Sequence, residues 1–171
     1  MIQIGASAAT IDTPVEHLIA CHRRIEQRLN TLISAPAHIE TNRIAALDAI
    51  RKSLHFLDTS GTLHTEDEEL SLFPRLRQKL SASELEFVDS LEAQHAEAEP
   101  LFAELKKLAL EPDLDVTRFL DYAARLRSLY SQHIRAEDEI LTAMARRSLD
   151  QSEIAEISRE MRARRASPER I

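Results

Sequence analysis

Apolar residues recur along this chain at steps of three, four and seven, the spacing that keeps side chains on one stripe of a helix. Thr13-Pro14-Val15-Glu16 combines a capping box with proline at the first helical position, predicting a helix from about Pro14 to Ser34. Ala35-Pro36-Ala37-His38 breaks it, and Thr41 is the next cap. Thr59-Ser60-Gly61 resembles a loop, but Leu47, Leu54, Gly61 and Glu68 are spaced by seven, as are Ile50, Leu57 and His64. A loop would scramble that register, so one long helix is predicted from about Asn42 to Phe73, kinked or ended by Pro74. Ser81 and Ser83 stand three residues before Glu84 and Glu86, starting a third helix that runs to about Ala109 with a kink at Pro100. After the break at Glu111-Pro112-Asp113, a fourth helix spans about Leu114 to Arg147, and a short amphipathic helix covers about Ser152 to Arg164. Long helices with short connections predict an all-α, up-down antiparallel four-helix bundle over residues 14–147. An N-terminal arm, 1–13, precedes it, and a short helix with a basic tail, 148–171, follows.

Composition agrees. The 171 residues include two glycines, no tryptophan and 4% aromatics, which favours helix over sheet and gives enough chain for one self-sufficient core. A net charge of −7 argues against nucleic acid held by bulk charge. The cationic run Arg159, Arg162, Arg164, Arg165 and Arg170 is read as a helix end that favours cations, followed by a frayed tail. A single cysteine, Cys21, permits no intramolecular disulfide, and the segment up to Pro14 has neither a basic nor an apolar region of a leader. No run reaches membrane-spanning length, so the expected address is the cytoplasm, with no membrane partner.

The seven-residue rows then sort the histidines. Val15, His22 and Leu29 share a row in the first helix; Ile50, Leu57 and His64 in the second; Val88, His95 and Phe102 in the third; Phe119, Leu126, His133 and Ile140 in the fourth. Glu68 falls in the row of Leu54 and Gly61, and Glu137 in that of Ala123, Tyr130 and Met144. His17 and His55 share rows with polar residues and His38 lies in a break, so these three are expected to face solvent. Each helix therefore turns one histidine inward, and two glutamates join them.

A buried carboxylate without a partner is costly enough to threaten a fold stabilised by roughly 5 to 15 kcal/mol. His64 and Glu68, and likewise His133 and Glu137, are four residues apart and so lie on one helix face within reach of one ion. Imidazole with carboxylate at this spacing suits iron and other first-row ions in a bundle core, and two bridging carboxylates suggest two ions. The alternative is a purely structural network of histidine–glutamate hydrogen bonds.

At these residues the chain resembles the hemerythrin-like family of HHE cation-binding domains. The resemblance runs through Asp12-Thr13-Pro14, His22-Arg-Arg-Ile25, His64 to Pro74, Gln94-His95 and His133 to Glu137. It implies a non-haem di-iron centre with His22, His64, Glu68, His95, His133 and Glu137 as ligands. Glu68 and Glu137 would span two iron ions bridged by oxo or hydroxo, with zinc or manganese as substitutes. Members bind O2, sense or sequester iron, oxygen or nitric oxide, or help repair iron–sulfur centres. Oxygen carriers of the family place two histidines four apart on the third helix; here Glu99 follows His95 at that spacing, which weighs against reversible O2 carriage. Glu99 is read as solvated, Tyr130 as either packed or a hydrogen-bond donor near the centre, Glu69 and Asp138 as solvated or as acceptors for ligating imidazoles, and Cys21 as inert.

The expected function is to bind or sense O2, NO or peroxide, or to handle iron. Turnover of peroxide or NO is an alternative, and a metal-stabilised interaction module another; no motif marks a committed organic reaction. If the rows are right, Glu68→Ala lowers metal content while His17→Ala changes neither metal nor stability, measured by metal analysis and denaturant unfolding.

Overall fold

The computed structural model describes Ile11 and residues 13–166, all of its regular structure helical. Helix α1 is Pro14–Ser34, with a tight turn Ala35–His38 after it. Helix α2 runs through Ile39–Phe56, a wide turn Leu57–Gly61, Thr62–Asp67, a second wide turn Glu68–Leu72, and Phe73–Leu76. Thus Thr59-Ser60-Gly61 lies inside a helix, as the register requires. Helix α3 is Ala82–Ala109; α4 joins Val116–Ala136, a wide turn Glu137–Leu141 and Thr142–Ser148; α5 is Gln151–Ala166.

Local chemistry sets the ends. Helix α2 breaks at Asn42, which leaves the helical region (φ −152°, ψ 70°) and, rather than Thr41, caps the stretch that follows by accepting the Ala45 N–H on Oδ1 at 3.3 Å. Ser81 starts α3 and its N–H donates to Glu84 Oε2 at 2.8 Å, while the Asp115 carboxylate accepts the Arg118 N–H at 3.0 Å. Helix α3 continues through Pro100, which is exposed, and α2 ends within a turn of Pro74.

Contacts between helices run antiparallel. Arg28 stacks on Phe56 while His22 meets His64; Asp58 binds Lys106 while Glu69 meets His95; Glu104 binds Arg118 while Gln94 meets His133. The helices go up, down, up and down. Inside them, one apolar cluster gathers around Leu29, Leu32, Ile50, Leu105, Phe119 and Leu126, and a second around Val15, Leu72, Phe73, Leu76, Leu91 and Leu141. The four inward histidines and two glutamates separate them.

Two wide turns change the inward register. Phe73 N–H bonds Glu68 O and Thr142 N–H bonds Glu137 O, each five residues back, so each turn holds one residue more than an α-turn. Ile140, expected inward, is therefore 46% exposed, and Leu141 is buried in its place.

The fifth helix corrects two expectations. It inserts Ile157 and Met161 into the second cluster and lies across α1 and the Thr62–Leu72 part of α2. Arg164 Nε donates to Asp67 Oδ1 at 2.8 Å, Arg165 reaches Asp67 Oδ2 at 2.6 Å, and Arg75 joins Glu160 at 2.8 Å. Arg164 and Arg165 stand in the last turn of α5, as the helix-end reading expects, but they clamp a buried aspartate rather than fray; Arg170, like Asp12, lies outside the described residues. His17 is only 8% exposed, not solvent-facing, while His38 and His55 are exposed as expected. A row test based on four helices cannot see a face covered by a fifth.

Asp67→Ala leaves two arginines without their buried counter-charge and should cost about 3 kcal/mol in denaturant unfolding, with faster proteolysis near α5. Burial, and next the nearby Arg165, lower the His17 imidazole from 6.5 to about 4. The unfolded chain then takes up a proton that the folded one refuses, so stability rises with pH across that window and is lost as pH falls through it. His17→Gln should flatten the slope of unfolding free energy between pH 4 and 6.5 relative to the native chain; identical slopes would disprove the burial effect. His55, which is exposed, replaces His17 as the neutral control for metal content.

Candidate metal centre

The six inward residues form one compact layer. His22, His64, Glu68 and Glu137 each bring a donor atom within 4.8 Å of the others, and so do Glu68, His95, His133 and Glu137. The two sets share both carboxylates. Glu68 divides its oxygens between them: Oε1 is 3.2 Å from His64 Nε2, and Oε2 is 3.4 Å from His95 Nε2. Glu137 Oε2 lies 3.1 Å from both His22 Nε2 and His133 Nε2.

Neighbouring side chains fix which nitrogen faces inward. His22 Nδ1 meets Asp138 Oδ1 at 2.7 Å, His95 Nδ1 meets Glu69 Oε1 at 2.8 Å, and His133 Nδ1 meets Gln94 Oε1 at 2.9 Å. Each acceptor calls for a proton on Nδ1, which leaves the Nε2 lone pair for the centre. Arg23 in turn binds Asp138. Glu69 and Asp138 are therefore not free in solvent, and Gln94 has a role that its neutral side chain did not signal in the sequence. His64 Nδ1 is buried without such an acceptor.

The inward nitrogens then meet in pairs. His22 Nε2 and His64 Nε2 are 3.1 Å apart, and His95 Nε2 and His133 Nε2 are 3.0 Å apart. Two lone pairs at that distance repel unless a cation lies between them. A proton would serve one nitrogen pair, but all four oxygens of Glu68 and Glu137 are buried and accept no hydrogen bond. Donors held about 2.1 Å from one ion at right angles sit about 3.0 Å apart, which matches the imidazole spacing. Buried clusters of imidazole and carboxylate with unsatisfied oxygens fit metal ions of the first-row type.

The electrostatics show how strongly the layer wants positive charge. Burial depresses the His22 imidazole, yet Glu137 and Glu68 outweigh it and raise it to about 10. Burial likewise opposes protonation of His95, but Glu68 and then Glu69 raise it to about 9. Burial pushes the Glu68 carboxyl up, and His64, His22 and His95 together hold it well below the usual range. His64 is lowered, chiefly by its burial.

Support around the layer is aromatic and apolar. The Phe73 ring stacks on His95 with centroids 6.4 Å apart, and Tyr130 meets His133 edge-on at 6.0 Å. Burial, followed by Glu68 and Glu137, raises the Tyr130 hydroxyl to about 12, so it keeps its proton. Burial also raises the Cys21 thiol to about 11, leaving it inert as expected. Glu99 is exposed and belongs to neither cluster.

Among the described residues no helix is long and apolar enough to cross a membrane. The chain is 31% identical over 163 residues to an uncharacterized protein of Haemophilus influenzae, with 92% of each chain covered. The family model of the hemerythrin HHE cation binding domain matches residues 13–145, a span holding all four helices that carry the layer up to Ala145 in α4. The chain belongs to the hemerythrin HHE cation-binding family.

Proposed function

We propose that this protein is a non-haem di-iron protein that binds or senses a small molecule such as O2, NO or peroxide. His22 and His64 would hold one iron, His95 and His133 the other, and Glu68 and Glu137 would span both. The observation that carries this reading is the pair of shared carboxylates, 0% exposed, whose four oxygens have no hydrogen bond. Iron at such a site supplies a redox-active centre with positions left for an outside ligand, since six protein ligands do not saturate two six-coordinate ions.

The chain's own residues do the rest. Asp138, Glu69 and Gln94 orient the imidazoles and raise their basicity as ligands. Apolar clusters above and below exclude water, which strengthens each charge interaction inside. No further acid–base pair converges on the layer among the described residues, which favours ligand binding over a committed organic reaction.

Metal analysis of protein made in iron-replete medium, with absorption spectra before and after reduction, tests this directly. The expected result is about two irons per chain and a near-ultraviolet charge-transfer band that bleaches on reduction and responds to NO. Zinc, or no metal, in a folded protein would make the six residues a structural network. Steady-state consumption of NO or peroxide with an electron donor, rather than stoichiometric binding, would make the protein an enzyme.

A further inference from the structure

The two sides of the layer differ in access. Beside His22, a void of only about 10 Å³ touches Glu68 and Glu137 and is closed off by Val15, Leu18, Leu72 and Leu141. That is at the lower limit for one water, so nothing larger is admitted from this side. Beside His95, a cleft of about 580 Å³ opens between α2 and α3 and is backed by α4, with Leu57, Gly61, Phe102, Leu126 and Tyr130 along its walls. A cleft of this size lies within the range of small-molecule sites.

Gly61 explains why that side is open. It occupies an inward row position seven residues before Glu68, with ordinary helical φ of −65°. A Cβ built there would have Leu57 Cβ, 3.9 Å away, as its nearest neighbour. Neither backbone conformation nor close packing demands glycine, yet glycine inside a helix costs about 1 kcal/mol against alanine. The space itself is what the missing side chain provides. Glu99, one turn after His95, is exposed at the mouth of the cleft.

Resting on the di-iron reading above, we propose that outside ligands reach the centre through this cleft and bind on its His95 side. The mouth carries five carboxylates and a single lysine, Lys106, which is itself paired with Asp58 at 2.6 Å. Its field disfavours anions, so the class admitted is small and uncharged, as NO, O2 and hydrogen peroxide are. Tyr130 forms part of the cleft wall and packs edge-on to His133, so it reports on access to this side of the centre.

Tyrosine fluorescence offers a test that does not depend on iron. The chain has two tyrosines and no tryptophan, so Tyr122→Phe leaves Tyr130 as the only reporter of the cleft. In zinc-loaded Tyr122→Phe protein, neutral acrylamide should quench it several-fold better than iodide, and adding Gly61→Leu should suppress the acrylamide effect. In iron-loaded protein, Gly61→Leu should slow NO association about tenfold or more at unchanged iron content, while Val15→Ala on the opposite side leaves the rate unaltered. An unchanged rate in fully loaded Gly61→Leu, or a faster one in Val15→Ala, overturns the proposal. Should Gly61→Leu load poorly, persistent acrylamide quenching in its zinc or metal-free form overturns it just as well. A native chain that takes up no iron would defeat the di-iron reading instead, and metal analysis separates the two failures.

Discussion

Two carboxylates with no exposure to water, set midway along an apolar bundle, are the constraint around which this molecule is arranged. Moving a carboxylate out of water costs several kcal/mol even after relaxation, comparable with the stability of a whole domain. Four imidazoles converge on Glu68 and Glu137, but histidines alone satisfy neither themselves nor the oxygens: the nitrogens face each other in pairs while the oxygens accept nothing. A cation in each cluster removes both difficulties at once. Without one, the raised His22 and His95 show the layer drawing on protons for the same purpose. Structure and function therefore share one requirement, and ion binding contributes to folding as well as to chemistry.

Two of the three wide turns begin at the same layer. One begins at Glu68 and one at Glu137, each four residues after a histidine of the centre. Pro74 lacks an N–H and could be thought to cause the first, but the second occurs in α4 with no proline nearby. Both of these turns carry an inward histidine–glutamate pair, whereas the third wide turn, Leu57–Gly61, does not. The extra residue lets the helix resume with a new face inward: Leu70 and Ile140 move toward solvent while Leu72 and Leu141 cover the centre. The two turns at the layer thus set which residues enter the second apolar cluster.

Much of this was legible in the sequence because a bundle seam is a one-dimensional pattern. Seven-residue spacing was enough to choose His22, His64, His95 and His133 from seven histidines, and to carry a helix through Thr59-Ser60-Gly61. It failed where the pattern is not intrinsic to one helix. His17 is buried by α5, whose docking depends on Arg164, Arg165 and Asp67, charged residues that a hydrophobic pattern counts as surface. Ile140 was misplaced because an inserted residue shifts phase without any local sequence mark. Gln94, a neutral side chain, gave no sign that it would hold His133.

What remains is the unequal treatment of two clusters built from similar ligands. On the His22–His64 side, α5 is clamped to Asp67, the residue just before Glu68, and apolar side chains leave almost no void. On the His95–His133 side, the helix that carries Glu68 gives up a side chain at Gly61 and borders open space. A rigid closed flank holds the carboxylate in place, which frees the other flank to be open without loosening the layer. That division argues for a centre in which one position anchors and the other receives.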